Sequence, residues 1–392
     1  MRKLEQLQPY PFERLKQLLA QVTPNPKQTL INLSVGEPKH PTPHLITQAL
    51  QNHFSELSKY PATVGIPELR QAIATWIKQR FYSVINPDTQ ILPVLGSREA
   101  LFSFAQVVTD HFPEKNLVAF PNPFYQIYEG AALMGGATPY YLNINQETGL
   151  PDWRTFTPEL AKRCSLLYVC SPNNPTGSVI SLTEWEFLFK LSDAYGFVIA
   201  ADECYSEIYL DESNPPLGAL QAATQLGRTD YKNLITFSSL SKRSNAPGLR
   251  SGFVAGDAFW VKQFLLYRTY HGSAMSVMIQ HASLAAWQDE THVQNNRALY
   301  RKKFEAVGHI LQQAFSIQIP PAGFYFWLAI KQDDLKFAQT LYEQQHVIVL
   351  PGQYLGRNTA LGNPGAQFVR IALVAPLADC IEAAQRIVNH AN

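Results

Sequence analysis

Between residues 91 and 255 the chain alternates short, nearly uninterrupted apolar runs with amphipathic stretches. The runs Ile91–Leu95, Leu117–Phe120, Leu166–Cys170, Phe197–Ala201, Leu234–Ser238 and Gly252–Ala255 are short and lack polar alternation, which predicts strands buried on both faces. Helical spacing fills several gaps, as over Ala100–Thr109 and Thr183–Tyr195. Strands separated by helices in this way predict an α/β fold with a mostly parallel sheet covered on both sides. Beyond Val261 long helical patterns dominate, with strand patterns at Phe324–Ile330 and Phe368–Val374. The change divides the chain into a large domain over 46–279 and a smaller α/β domain over 280–392, joined by an N-terminal segment over 1–45. That segment opens with Leu4, Leu7, Phe12, Leu15, Leu18 and Leu19 at helical spacing around a Pro9–Pro11 break.

At 392 residues the chain is long enough for two or three structural units. Its 32 Lys and Arg against 31 Asp and Glu leave a net charge of +1, which offers no bulk field for nucleic acid or an anionic membrane. No apolar run approaches the roughly 18 residues that span a bilayer. Met1 to Gln8 lack the apolar stretch of a secretory signal. The four cysteines (Cys164, Cys170, Cys204 and Cys380) show no Cys-x-x-Cys spacing. A cytoplasmic protein with buried thiols is therefore expected. Dinucleotide and phosphate-loop glycine motifs, His-Glu-x-x-His and Gly-x-Ser-x-Gly are all missing, so no metal site is expected.

Five polar clusters stand instead at the ends of predicted strands, where open α/β sheets gather ligands. Ser239-Leu240-Ser241-Lys242-Arg243 is followed by Arg250. A lysine there can form a Schiff base, and hydroxyls with a guanidinium suit a phosphate; taken alone, the segment reads equally as a solvated basic loop. Asp202 and Tyr205 end another strand, where a carboxylate can keep a pyridinium protonated or simply cap a helix. Ser171-Pro172-Asn173-Asn174-Pro175-Thr176-Gly177 holds an asparagine rigidly or makes a plain turn. Gly96-Ser97-Arg98-Glu99-Ala100 opens a helix whose free N–H groups suit an anion. Arg370 lies inside an apolar strand and needs an anionic partner, either structural or a substrate carboxylate.

Taken in order, Asn174, Asp202, Tyr205, Ser239, Ser241, Lys242, Arg250 and Arg370 resemble the pyridoxal-phosphate-dependent aspartate aminotransferase superfamily of fold type I. The resemblance extends from Val35-Gly36-Glu37-Pro38 to the Arg370 strand. It implies a homodimer, a seven-stranded sheet in the large domain and a small domain made of both chain ends. It implies that Lys242 carries the cofactor and acts as base, that Asp202 pairs with the pyridine nitrogen, and that Tyr205 and Asn174 meet the ring oxygen. Ser97, Arg98, Ser239, Ser241 and Arg250 would cup the phosphate, joined by Tyr60 from the neighbouring subunit. Arg370 would clamp the substrate carboxylate beside Gly36. Tyr125 occupies a cofactor-stacking position that is usually Trp in the aspartate enzymes, so their substrate preference does not transfer.

Longer strings resemble the proteobacterial succinyldiaminopimelate aminotransferases, among them Ile91 to Ala100, Pro121 to Tyr128, Ser238 to Asp257 and Tyr267 to Ser276. That likeness implies small-molecule partners, with glutamate as donor and an N-succinyl amino acid in lysine and diaminopimelate synthesis. Both carry a distal carboxylate, for which Arg98, Arg243, Arg268 and His271 are candidates, alternatively surface pairs or part of the phosphate frame. Aminotransferases for aspartate, acetylornithine or aromatic substrates and carbon–sulfur lyases share the same residues. The effector domain of a transcription regulator would add a basic winged-helix module, and a dead scaffold would be expected to lose Lys242 or Asp202.

Overall fold

The apolar runs fold as strands whose alternate side chains enter separate cores. In the computed structural model, which describes residues 3–391, Ile91, Leu117 and Leu167 point into one core, while Leu92, Val118 and Leu166 point into the other. Met1, Arg2 and Asn392 lie outside the described residues. In chain order the strands are β1 (Ile31–Asn32), β2 (Ile91–Val94), β3 (Leu117–Asn122), β4 (Thr138–Asn143), β5 (Cys164–Cys170), β6 (Val198–Asp202), β7 (Leu234–Ser239), β8 (Gly252–Gly256), β9 (Tyr325–Ala329), β10 (Val347–Ile348), β11 (Leu350–Pro351) and β12 (Phe368–Ala372).

Seven of them form one sheet in the order β2-β8-β7-β6-β5-β3-β4. The pairs among β3 to β7 are parallel, whereas β8 runs antiparallel to both β2 and β7. The β4 edge has no counterpart among the six runs read from the sequence. Its Thr-Pro-Tyr-Tyr-Leu-Asn is mostly half-exposed and includes a proline, so it carries no continuous apolar signal.

Local chemistry sets the helices between the strands. Helix Leu182–Tyr195 starts at a capping box in which Ser181 and Glu184 satisfy each other's backbone N–H, and it stops at Gly196 in left-handed conformation. The N-terminal leucine pattern forms a short 3-10 turn at Lys3–Gln6 and a helix at Pro11–Leu19, separated by the prolines.

A second, smaller sheet (β11-β12-β9) is antiparallel, and β1 pairs in parallel with β10. Ile31 and Leu33 thereby share a core with Phe304, Phe326, Leu341, Val369 and Ile387, so the N-terminal segment joins the C-terminal residues. The expected division after residue 279 runs through helix Val277–Gln288. Ala282, Ala286 and Trp287 of that helix belong to the core of the large sheet, and the chain crosses over in the next helix, Thr291–Leu311. No helix among the described residues is long and apolar enough to cross a membrane.

Candidate active site

The strand directions decide which residues meet. Since β2, β5, β6 and β7 run parallel and β8 is reversed, the ends of the first four lie at the same edge as the start of β8. Ser97 follows β2, Asn174 follows β5, Asp202 ends β6, Ser239 ends β7, and Arg250 precedes β8. All five line one cavity of about 440 Å³, together with Gly36, Arg98, Tyr125, Tyr205, Ser241, Lys242 and Arg370. The residues that the family resemblance assigns to a single subunit's cofactor and α-carboxylate site are thus in one place. Tyr60 is fully exposed and outside the cavity.

One end of the cavity is built for an anion. Helix Ser97–His111 begins there after Gly96, whose φ of +83° suits glycine. A Cβ at Gly96 would come within 2.6 Å of the Arg250 guanidinium. Arg250 itself takes the left-handed conformation at φ 52°, a strained choice for arginine of the kind that collects at binding sites. Ser239 and Ser241 hydroxyls lie 2.9 Å apart beside it. Free helix N–H groups, hydroxyls and a guanidinium with no carboxylate partner among the described residues match a phosphate.

The floor is polar and buried. Asp202 is 4% exposed, and its carboxylate accepts from the Tyr128 hydroxyl at 2.7 Å and the Cys204 N–H at 3.3 Å. Burial pushes its carboxyl above the usual range, so a protonated ring nitrogen would satisfy it. Lys242 donates to the Gly36 carbonyl at 2.6 Å and is pushed down to about 8, chiefly by burial. A Cβ at Gly36 would collide with the Tyr325 hydroxyl, so only glycine brings that carbonyl to the lysine. Tyr205 and Tyr325 hydroxyls are 2.9 Å apart, and Arg370 donates to Asn174 Oδ1 at 3.0 Å and to the Ser34 carbonyl at 2.8 Å. Arg370 Nε is buried without a partner and its guanidinium lies 4.4 Å from the Tyr325 ring centroid. A buried acid, a depressed lysine, a phosphate cradle and an arginine without a carboxylate are the donor set that pyridoxal phosphate and an amino acid require.

A family model, aminotransferase class I and II, matches residues 28–387. The chain belongs to that family. Its members are pyridoxal-phosphate-dependent, and the chain is accordingly an aminotransferase. It is 29% identical over 394 residues to the LL-diaminopimelate aminotransferase of Desulforudis audaxviator, covering 98% of this chain and 96% of that one. It is 30% identical over 367 residues to the enzyme of the same name from Aquifex aeolicus, covering 92% and 91%. A solved aminotransferase from Neisseria meningitidis superposes with a TM-score of 0.96 at 55% identity, over 99% of this chain and 98% of that one. The seven-stranded sheet and its helical layers match this aminotransferase fold.

Several residues in or behind the cavity of the aminotransferase carry no motif that would reveal their role. Tyr128 stacks on Tyr168 with centroids 4.6 Å apart while it holds Asp202. Cys204 Sγ lies 2.8 Å from Ser97 Oγ, and Tyr325 and Tyr10 also line the cavity. Arg243 and Arg268, offered as readers of a distal carboxylate, are directed elsewhere. Arg243 is paired with Glu290 and donates to the Ala286 carbonyl at 2.7 Å. Arg268 pairs with Glu99 at 2.7 Å and with the Ser273 carbonyl at 2.6 Å. His271 ends its helix outside the cavity, 3.3 Å from the Ser273 hydroxyl. Of the four candidates Arg98 alone lines the cavity, donating to Tyr125 at 2.6 Å and Tyr10 at 3.3 Å.

Proposed function

We propose that this aminotransferase moves an amino group between glutamate and N-succinyl-2-amino-6-oxopimelate in diaminopimelate and lysine synthesis. One observation carries the reading. Arg370 on the floor and Arg98 at the mouth share one cavity, and neither has a carboxylate partner among the described residues. Two such cations in one cavity suit an amino acid with a carboxylate at each end.

In this reading Ser97, Ser239, Ser241, Arg250 and the helix N-terminus hold the phosphate, with Tyr60 reaching it from a second copy of the chain. Tyr125, Asn174 and Tyr205 would hold the ring, and Lys242 would be the point of attachment. When bound, the cofactor supplies an electron sink for the charge left at the substrate Cα. Asp202, steadied by Tyr128, keeps the ring nitrogen's proton in place. Arg370 orients the α-carboxylate so that the Cα proton faces Lys242. The amine of Lys242 takes that proton and later returns it, and a value near 8 leaves it poised for both roles at neutral pH.

A second reading, transfer on free LL-diaminopimelate, draws on the names of the two relatives and on Glu37 at the cavity mouth, a carboxylate suited to a distal ammonium. Visible absorbance of the loaded enzyme separates the two. Glutamate should change the band and the succinylated keto acid should restore it. Restoration only by the keto acid derived from free diaminopimelate would install the second reading, and restoration by neither would overturn both.

A further inference from the structure

The backbone of Lys242 is held by a chain of hydrogen bonds that starts at a buried lysine with no acidic partner. Lys303, on helix Thr291–Leu311, is 3% exposed and forms no ion pair among the described residues. Its Nζ lies 2.7 Å from His40 Nε2. His40 Nδ1 lies 2.8 Å from Asn296 Oδ1, which also accepts from Asn245 Nδ2 at 3.0 Å. Asn296, 2% exposed, then donates through Nδ2 to the Lys242 carbonyl at 3.3 Å.

The polarity of this chain has one solution. The Lys242 carbonyl only accepts, so the Asn296 amide turns its nitrogen there and its oxygen to His40, whose Nδ1 therefore carries the N–H and whose Nε2 lone pair is left to meet the Lys303 amino group. That N–H in turn holds the Asn296 amide in this orientation. Burial and the neighbouring Lys303 hold the His40 imidazole in its neutral form, in agreement with this tautomer. We propose that Asn296 is a positioning residue for Lys242, oriented by Lys303 through His40. The inference rests on the proposed role of Lys242. It ties the backbone of Lys242 to both stretches where the chain crosses between the large sheet and the smaller domain, because His40 follows β1 and the other two side chains lie on the helix after Glu290.

Asn296→Asp tests it with little change of shape, since it turns a donor toward the Lys242 carbonyl into an acceptor. Expected are a fall in kcat of about tenfold with the glutamate KM within about twofold. The pH midpoint of the bound cofactor's visible band, which reports the proton at the lysine nitrogen, should move by about half a unit. Lys303→Met should act in the same direction by about threefold, and Lys303→Arg should restore both readouts. If kcat and the midpoint stay at wild-type values in Asn296→Asp and Lys303→Met, or if kcat falls while the midpoint stays put, the network is scaffold and the proposal is overturned. Should Asn296→Asp not fold, the Lys303 pair decides alone. A Lys242→Ala protein that keeps the band would instead sink the role given to Lys242.

Discussion

The floor and the mouth of the cavity are built by opposite rules. On the floor, Asp202 and Arg370 are each 4% exposed, sit at or within strands, and are cross-braced by Tyr128, Asn174 and the Ser34 carbonyl. At the mouth, Val35 and Glu37 are exposed, and Arg98 meets Tyr125 and Tyr10 through their hydroxyls, one of them at 3.3 Å, and their rings. A group that must meet the reacting atoms is worth burying with its partners, since a loose or unpaired charge there costs several kcal/mol. A group that selects among substrates can stay wet and adjustable. On the proposed reading the same floor would serve many substrates, and specificity would be a property of the mouth.

Breaking the floor should cost most. Asp202→Asn removes the charge and leaves the shape, and kcat should drop by a factor on the order of 10² to 10⁴ with the fold intact by circular dichroism. Arg370→Lys keeps a cation but loses the fork, and kcat/KM for every amino acid should fall by about 10² whatever the side chain. Changing the mouth should be milder and selective. Arg98→Ala is expected to reduce kcat/KM for glutamate about tenfold while that for alanine changes less than about twofold, as read by single-turnover absorbance. An equal loss for both would erase the distinction drawn between the two regions.

The smallest effect is one of stability. Lys242 is pushed down to about 8 in the folded chain, so below that value the fold carries the cost of a buried charge. In the cofactor-free protein Lys242→Met should be more stable at pH 7 by about 2 kcal/mol, a figure reduced because the amine faces the open cavity. Above about pH 8 the folded chain sheds a proton that the unfolded chain keeps to its ordinary value of 10.5, so the difference should shrink between the two. Urea denaturation at pH 7 and pH 10 checks the sign.

Much of the floor is legible in the sequence because each of its residues lies within a few positions of an apolar run, and the sheet brings those run ends together. Tyr128 and Tyr325 are not legible: an aromatic residue in an apolar stretch has the pattern of core, and only the fold shows where its hydroxyl points. The opposite error concerns Arg243 and Arg268. Arg243, next to Lys242, and Arg268, in the Tyr267 to Ser276 string, read as candidate cations or as surface pairs, and their acids, Glu290 and Glu99, are distant in the chain so that only tertiary structure supplies them. The β4 edge escapes notice since an edge strand is half wet and has no need of the continuous apolar run that marks its buried neighbours.

The reversed strand β8 has a consequence for the order in which the molecule can form. It lies between β2 and β7, with Gly252 in register with both Val94 and Ser239. A nascent chain that has not yet delivered β8 leaves the facing edges of β2 and β7 bare and the phosphate cradle in two halves, with long-range pairings still to be closed. Ability to take up phosphate then arises in the same event that seals the sheet, so cofactor capture on the ribosome would report a closed seven-stranded sheet.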